Sequence, residues 1–144
     1  MGIDIVDLSR MARFLRRYPD RSLRMLLSET ELGQVRRDPC PAVRLGTSFG
    51  AKEACGKALG TGLAGLAWTD IEADCAAGSG DRGVRIALNG AAARHAAGLG
   101  VARWQVRTQR LGPEALMVCA LALTAGADGA PEPRGVRHVR QPRR

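Results

Sequence analysis

The sequence predicts an α+β domain in which one long helix packs against a mainly antiparallel sheet. Apolar residues at helical spacing fill the first half of the chain and end in a single long segment, 41–59. Strand-like stretches follow an opening strand at 2–6, and they cover 69–73, 84–88, 104–109 and 115–123. The stretch 84–88 is the returning strand of a hairpin, which favours antiparallel pairing. The last stretch is nearly all apolar and suits a buried central strand.

The composition is that of one globular domain with an aliphatic core. The chain has 144 residues, enough for a single core, and only 2 Trp, 1 Tyr and 2 Phe. No apolar run approaches the length of a membrane span and the N-terminus lacks a signal peptide, so we expect a cytoplasmic protein without membrane contact. The cysteines form no C-x-x-C pair, which argues against zinc and favours buried thiols in a reducing compartment; they are Cys40, Cys55, Cys75 and Cys119.

The opening strand carries an acid among apolar residues. Ile3 and Ile5 face one side of this strand and Asp4 faces the other. A carboxylate in such a position is costly unless something pairs with it. Asp7, at the end of the strand, is placed to cap the helix that follows.

Caps and breaks define the helices. An apolar stripe predicts a first helix over about 8–18, and Ser28 with Glu31 matches the capping box of a later one. The long helix 41–59 stops at Gly60, a common C-terminal signal.

The second half holds a turn, a short helix and a tail. Gly and Ser residues predict a turn at 76–83, and Asn89 is placed to cap an Ala-rich helix over 91–97. The tail mixes Pro, Gly and Arg without apolar periodicity. We therefore expect a domain over 1–125 and a basic disordered tail over 126–144.

Lysine occurs only twice, and both lysines flank a glutamate on the long helix. Lys52 and Lys57 are the exceptions among 22 basic residues, the rest being arginine. A mobile ammonium suits a phosphate that must be held and released, and Glu53 offers the hard oxygen that Mg²⁺ prefers. Glu53 and Lys57 alone could be an ordinary i, i+4 surface pair. Together with Lys52, Gly56, the segment 60–62 and Asp4 in the first strand, they favour a site for phosphate and metal.

The positive charge is concentrated near the ends of the chain. The formal net charge is +8, and six arginines lie within 8–25 against a single acid, Asp20. Arg10, Arg13 and Arg17 repeat at helical spacing. They are either a solvated face or a docking surface for an acidic partner, and the charge excess favours docking.

Three segments carry a resemblance to a known family. They are Gly-Ile-Asp-Ile-Val at 2–6, Phe-Gly-Ala-Lys-Glu-Ala at 49–54 with Lys-Ala-Leu-Gly-Thr-Gly at 57–62, and Trp-Thr-Asp-Ile-Glu at 68–72. Together they resemble the holo-acyl-carrier-protein synthases, the small class of 4′-phosphopantetheinyl transferases. The resemblance covers about 2–124 and implies that family's α+β fold.

The resemblance also implies a reaction and an assembly. Such enzymes use Mg²⁺ to move the phosphopantetheine arm of coenzyme A onto a serine of an acyl carrier protein, and they form homotrimers with active sites between subunits. The implied metal ligands are Asp4 and Glu53, and the implied catalytic residues are Glu53 and Lys57. The implied coenzyme A contacts are Lys52, Lys57, Gly60, Thr61 and Gly62. The implied docking residues for the acidic carrier protein are Arg10, Arg13 and Arg17.

One strand departs from the family pattern. Where the family has His-x-Ser-x-Ser-His, this chain has Gln-Val-Arg-Thr-Gln-Arg at 105–110. Arg107 or Arg110 could bind coenzyme A phosphates in place of the missing side chains.

Two other functions stay open from the sequence. The rebuilt strand is compatible with a scaffold that binds or transforms a carrier-tethered, polyketide-type intermediate without pantetheine transfer. A nucleic-acid binder is disfavoured, because few aromatic residues and no binding motif leave only non-specific attraction to phosphates.

Overall fold

The computed structural model describes residues 1–75 and 83–125 of the chain. The predicted turn at 76–83 falls almost entirely outside these residues, and the predicted tail at 126–144 lies wholly outside them. The helices are α1 (Leu8–Arg17), α2 (Asp20–Leu23), α3 (Glu29–Arg37), α4 (Pro41–Ala58) and α5 (Gly90–Gly98), with a 3₁₀ turn at Trp68–Asp70. The strands are β1 (Gly2–Asp7), β2 (Ile71–Asp74), β3 (Arg85–Leu88), β4 (Val101–Arg110) and β5 (Ala115–Thr124).

All strand pairs are antiparallel, which confirms the predicted fold class. One sheet has the order β1-β5-β4, and β2 pairs with β3 in a second, two-stranded sheet. Within the described ranges, an isolated bridge between Val84 and Val106 connects them. β5 is central, as its apolar sequence predicts, and Val118 and Ala120 within it are fully buried. Among the described residues, none of the helices combines the length and apolar character needed to span a bilayer.

Glycines allow α4 to lie close against the three-stranded sheet. A Cβ on Gly2 of β1 would lie 2.0 Å from the backbone oxygen of Ala54, and one on Gly50 would lie 2.7 Å from a methyl of Val118. Neither position can carry a side chain unless strand and helix separate. This close packing fixes β1 against the C-terminal half of α4, which positions the site described below.

The helix caps agree with the sequence except at α5. Asp7 accepts a hydrogen bond from the backbone N–H of Arg10 at 2.9 Å, and the capping box that begins α3 is formed. The side chain of Asn89, in contrast, makes no capping hydrogen bond. Asp70 takes that role, because its Oδ2 accepts from the N–H of Ala91 at 3.1 Å.

The outer face of the three-stranded sheet is apolar and partly exposed along β1 and β5, whereas its β4 residues are polar or charged. Ile3 and Ile5 are on the opposite side from Asp4, as predicted, but they are the outward pair, with exposed fractions of 44% and 64%. Asp4 instead faces α4 together with Gly2 and Val6. The outer sheet face also includes half-buried residues of β5 that share the register side of Ile3 and Ile5, namely Met117, Cys119, Leu121 and Leu123.

Candidate active site

The first strand and the long helix meet at a lysine–carboxylate pair. Lys57, in the last turn of α4, donates hydrogen bonds from Nζ to Asp4 Oδ1 at 2.7 Å and to the backbone oxygen of Ile3 at 3.0 Å. The Asp4 side chain is 15% exposed and that of Lys57 is 45% exposed. The acid inside the opening strand is therefore paired, as its position requires, and the pair remains open to solvent on the lysine side.

Glu53 lies one helical turn before Lys57 and completes the Asp4–Glu53–Lys57 cluster. Its half-buried carboxylate makes no hydrogen bond or ion pair with any residue of 1–75 or 83–125. Burial raises the pKa of Glu53, the negative charge of Asp4 raises it further, and the ammonium of Lys57 opposes both effects. The three charges therefore act on one another, and Glu53 is the member without a direct partner.

The cluster has the chemistry of a hard-cation and phosphate site. A divalent cation beside Asp4 and Glu53 would relieve the repulsion between them. No third His, Cys, Asp or Glu side chain of the described residues joins them in a metal-binding group. Mg²⁺ is commonly held by two carboxylates, with water and phosphate oxygens at its remaining coordination positions. Lys57 adds a positive charge that can bind a phosphate group.

The glycine loop after α4 packs back on the same helix. The N–H of Gly62 donates to the backbone oxygen of Gly56 at 3.0 Å, and a Cβ on Gly56 would lie 2.6 Å from the oxygen of Gly62. Gly60 and Gly62 have φ values of +81° and +59°, which favour glycine. Thr61 between them is exposed. The loop therefore lies within a turn or two of Glu53 and Lys57, as the sequence predicts.

Lys52 does not belong to this cluster. Its side chain is fully buried, and Nζ donates to Glu31 Oε2 at 2.8 Å and to the backbone oxygens of Trp68 and Ile71 at 2.8 and 2.6 Å. All three protons of the ammonium are therefore used inside the protein. The expected contact of Lys52 with pyrophosphate is corrected accordingly. Adjacent helix residues point about 100° apart, so Lys52 faces the core while Glu53 faces β1.

The two arginines predicted to bind coenzyme A lie on β4, which β5 separates from β1. Arg110 donates to the backbone oxygens of Gly112, at 3.2 Å, and of Pro113, so it holds the turn into β5. Arg107 is exposed and pairs in register with Cys119, which places it on the outer sheet face. Within one chain, neither arginine joins the Asp4–Glu53–Lys57 cluster.

An open cleft of about 480 Å³ lies between β3 and β4, away from that cluster. Its lining includes Arg85, Arg103 and Arg107, beside Trp104. Arg85 is ion-paired with Asp74, so its positive charge is already balanced within the chain.

The predicted docking residues lie on an exposed basic helix. Arg10, Arg13 and Arg17 are all exposed on α1, whose buried stripe contains Leu8 and Met11. None of the three arginines takes part in an ion pair with a described residue. Their charge is therefore not neutralised by the described part of the chain and remains available to a partner.

Two features near the site could not be found from sequence patterns. Glu31 is recognisable as a capping residue, but its pairing with Lys52 depends on how α3 packs against α4. The sequence predicts that His95 is an exposed residue of an Ala-rich helix. In the structure it is half-buried and its Nε2 lies 3.1 Å from the backbone oxygen of Leu59, at the end of α4. Cys55 is fully buried, as expected for a core residue, and Cys75 and Cys119 are half-buried, but Cys40 is exposed, which corrects the expectation of a buried thiol at that position.

The family model of the 4′-phosphopantetheinyl transferase superfamily matches residues 1–108. The chain belongs to this superfamily. A holo-[acyl-carrier-protein] synthase from Alkalilimnicola ehrlichii is 42% identical over 103 residues, a match that covers 69% of this chain and 77% of that protein. The resemblance inferred from the residues of 2–6, 49–62 and 68–72 is thus confirmed, and the superfamily is one of transferases.

Solved structures of holo-[acyl-carrier-protein] synthases confirm the phosphopantetheinyl transferase fold. The structure from Neisseria meningitidis has a TM-score of 0.72 and 23% identity, covering 85% of this chain and 96% of that one. The structure from Helicobacter pylori, in complex with coenzyme A, has a TM-score of 0.67 and 21% identity, covering 85% and 98%. At these identities the likeness establishes the fold alone.

Proposed function

We propose that this protein transfers the 4′-phosphopantetheine group from coenzyme A to a serine of an acyl carrier protein in a Mg²⁺-dependent reaction. The observation that carries the proposal is the Asp4–Glu53–Lys57 cluster, formed where β1 packs against α4. Membership of the transferase superfamily and the 42% identical synthase support the reaction class.

Each member of the cluster has a role in this reaction. Asp4 and Glu53 would hold Mg²⁺, which supplies positive charge to the pyrophosphate oxygens when bound. The serine oxygen forms a bond to the phosphorus next to the pantetheine arm, and the bond from that phosphorus to the oxygen bridging the two phosphates breaks. Glu53 accepts the serine proton as the general base. Lys57 offsets charge on the departing 3′,5′-ADP, and the loop at 60–62 contacts coenzyme A near it.

The exposed arginines of α1 would dock the carrier protein. Arg10, Arg13 and Arg17 present unneutralised positive charge on a helix that directly follows the strand bearing Asp4. A negatively charged carrier surface would be attracted and oriented by this face. The carrier's serine would then be delivered beside the cluster.

The outer sheet face suits a homotrimer with active sites between subunits. Ile3 and Ile5 are exposed on β1 beside the half-buried apolar residues of β5, and large uncovered apolar surfaces mark protein contacts. Arg107 lies on the same face but away from the cluster of its own chain. In a trimer, Arg107 of one subunit would contribute phosphate contacts to the site of a neighbour.

Intact-mass measurement tests the proposed reaction. Apo carrier protein is incubated with coenzyme A, Mg²⁺ and this protein, and we expect the mass of one phosphopantetheine group to be added. Glu53→Gln should abolish the gain, as should chelation of the metal. The matched control Glu29→Gln changes an exposed glutamate of α3 and should leave transfer intact. No mass gain with any fatty-acid or polyketide carrier would overturn the proposal and point to the scaffold function instead.

A further inference from the structure

A buried ion pair lies behind the Asp4–Glu53–Lys57 cluster and takes no part in it. Lys52 and Glu31 are both 0% exposed, and Lys52 Nζ is 2.8 Å from Glu31 Oε2. Removing two charges from water is costly, and an apolar pair of similar size is often as stable or more so. Stability alone therefore does not explain why a lysine and a glutamate occupy these positions.

The hydrogen bonds of the pair connect three parts of the fold. Glu31 Oε2 also accepts from the N–H of Ser28 at 2.8 Å, and its Oε1 accepts from the N–H of Ala73 at 2.9 Å. Lys52 binds the backbone oxygens of Trp68 and Ile71, on the 3₁₀ turn and β2. The pair thus ties the start of α3, the middle of α4 and the segment 68–73 together.

Lys52 holds the C-terminal end of the glycine loop, and a different contact holds the N-terminal end of that loop. The loop runs from Gly60 to Trp68. Its start is fixed on α4 through the hydrogen bond between Gly62 and Gly56. Its end is fixed on α4 through Lys52 and through the stacked rings of Phe49 and Trp68, whose centroids are 4.9 Å apart. Both ends of the loop are therefore attached to α4, the helix that carries Glu53 and Lys57.

We propose that the Lys52–Glu31 pair is a positioning device that clamps the C-terminal end of the 60–68 loop onto α4, and so sets where the coenzyme A phosphates lie relative to Glu53 and Lys57. This inference deepens the proposed function and rests on it. Lys52 itself touches no ligand and acts through the carbonyl groups of Trp68 and Ile71. An apolar side chain could fill the same space but could not hold two carbonyl groups, which is why a lysine is placed here.

The double variant Glu31→Gln/Lys52→Met tests the clamp without leaving a buried charge unpaired. Each new side chain is nearly as long as the one that it replaces. The introduced glutamine can still accept a hydrogen bond, whereas the introduced methionine cannot hold the carbonyl groups. We expect the KM for coenzyme A to rise about tenfold or more, while the KM for the carrier protein is unchanged. Hydrogen exchange at the amides of 60–68 should become faster in the absence of any ligand.

Val35→Ala is the matched control, because Val35 is a buried residue of α3 that makes no side-chain hydrogen bond. It should lower the melting temperature yet leave the KM for coenzyme A and the exchange of 60–68 unchanged. An unchanged KM in the double variant, or an equal rise in Val35→Ala, would overturn the clamp. If the wild-type protein neither binds coenzyme A nor transfers, the proposed function fails. The exchange rates of 60–68 would then still decide whether the clamp exists, with unchanged rates counting against it.

Discussion

Lys57 Nζ lies 2.7 Å from Asp4 Oδ1, so the last turn of the long helix is bonded to the first strand. An ion pair as exposed as this one contributes only about 0–1 kcal/mol to folding. The same lysine also opposes the raised pKa of Glu53, one turn away on α4. The contact therefore matters more for the charge balance of the cluster than for the stability of the fold.

Lys57→Met should accordingly lower activity far more than stability. We expect transfer to fall by about 100-fold or more, because a cation aimed at the pyrophosphate is lost. The melting temperature should fall by only a few degrees, because the pair is partly solvated on the lysine side although Asp4, whose side chain is 15% exposed, loses its partner. Single-turnover transfer followed by mass spectrometry, together with thermal melting, measures both quantities. Arg36→Met, which breaks an exposed ion pair with Asp20, should affect neither; equal losses in the two variants would contradict the role of Lys57.

Glu53 should make the folded protein less stable at neutral pH than at acid pH when no divalent ion is added. Its folded pKa is raised above the ordinary value of 4.5. Because Glu53 binds its proton more tightly in the folded protein than in the unfolded one, protonation of Glu53 stabilises the fold. This contribution is fully present below pH 4.5 and is lost as the pH rises through the raised pKa. Glu53→Gln removes this effect, so its melting temperature at pH 7 should exceed that of the wild type by a few degrees at most.

Melting curves from pH 4 to pH 8, without and with Mg²⁺, measure the effect of Glu53. Mg²⁺ should raise the melting temperature of the wild-type protein at pH 7 and not that of Glu53→Gln. Glu29→Gln serves as the control, and a stability gain of the same size in that variant would rule out the electrostatic explanation.

The elements of the fold were predictable because their signals are local. Helical spacing followed by Gly60 predicts a helix over 41–59, and α4 covers Pro41–Ala58. The Ser28–Glu31 capping box and the apolar run of β5 are equally local, and both are formed. Glu53 and Lys57 were also predictable as neighbours, because they lie one helical turn apart on the same helix, whereas the assignment of Asp4 to the same site came from the resemblance to the family.

The partners of individual side chains were not predictable, because packing between distant elements decides them. Lys52 and Lys57 are only five residues apart, yet one is buried against Glu31 and the other is bonded to Asp4. Alternation in β1 separates Ile3 and Ile5 from Asp4 but does not say which side faces the core. A rule that places the apolar pair inward is wrong here, since α4 covers the side that bears Asp4.

The outer sheet face should hold a trimer together through Ile5, which is 64% exposed in the single chain. We expect Ile5→Lys to dissociate the assembly, because a buried lysine without a partner is costly at an apolar interface. Size-exclusion chromatography with light scattering gives the mass of each species. Leu99→Lys changes an exposed leucine next to α5 and should leave the mass unchanged. A wild-type protein that is monomeric at micromolar concentration would contradict the proposed assembly.

Thiol labelling should distinguish the cysteines by their burial. Burial raises the pKa of Cys55 to about 12, so it should not react with a disulfide reagent at pH 8 unless the protein unfolds. Cys40 is exposed and should react within minutes. Cys119 lies on the outer sheet face, so it should be protected in the trimer and become reactive in Ile5→Lys. Fast labelling of Cys119 in a wild-type trimer would exclude this face from the interface.

Gly2→Ala should disable the site by moving β1. The new Cβ would lie 2.0 Å from the backbone oxygen of Ala54 and 2.7 Å from the N atom of Ala58, neither of which is a flexible side chain. The strand must therefore shift away from α4, and Asp4 moves with it away from Glu53 and Lys57. We expect transfer to fall by about 100-fold, since displacements of about 1 Å have such effects, and stability to fall by about 1–3 kcal/mol.

Gly98→Ala is the control for this substitution, because a Cβ there meets no atom within 4 Å. It should leave transfer unchanged and leave stability equal or slightly higher, since alanine restricts the unfolded chain. Urea unfolding and single-turnover transfer measure the two effects. If Gly2→Ala keeps full transfer, the position of β1 on α4 is not what holds Asp4 beside Glu53, and the two carboxylates would not form one metal site.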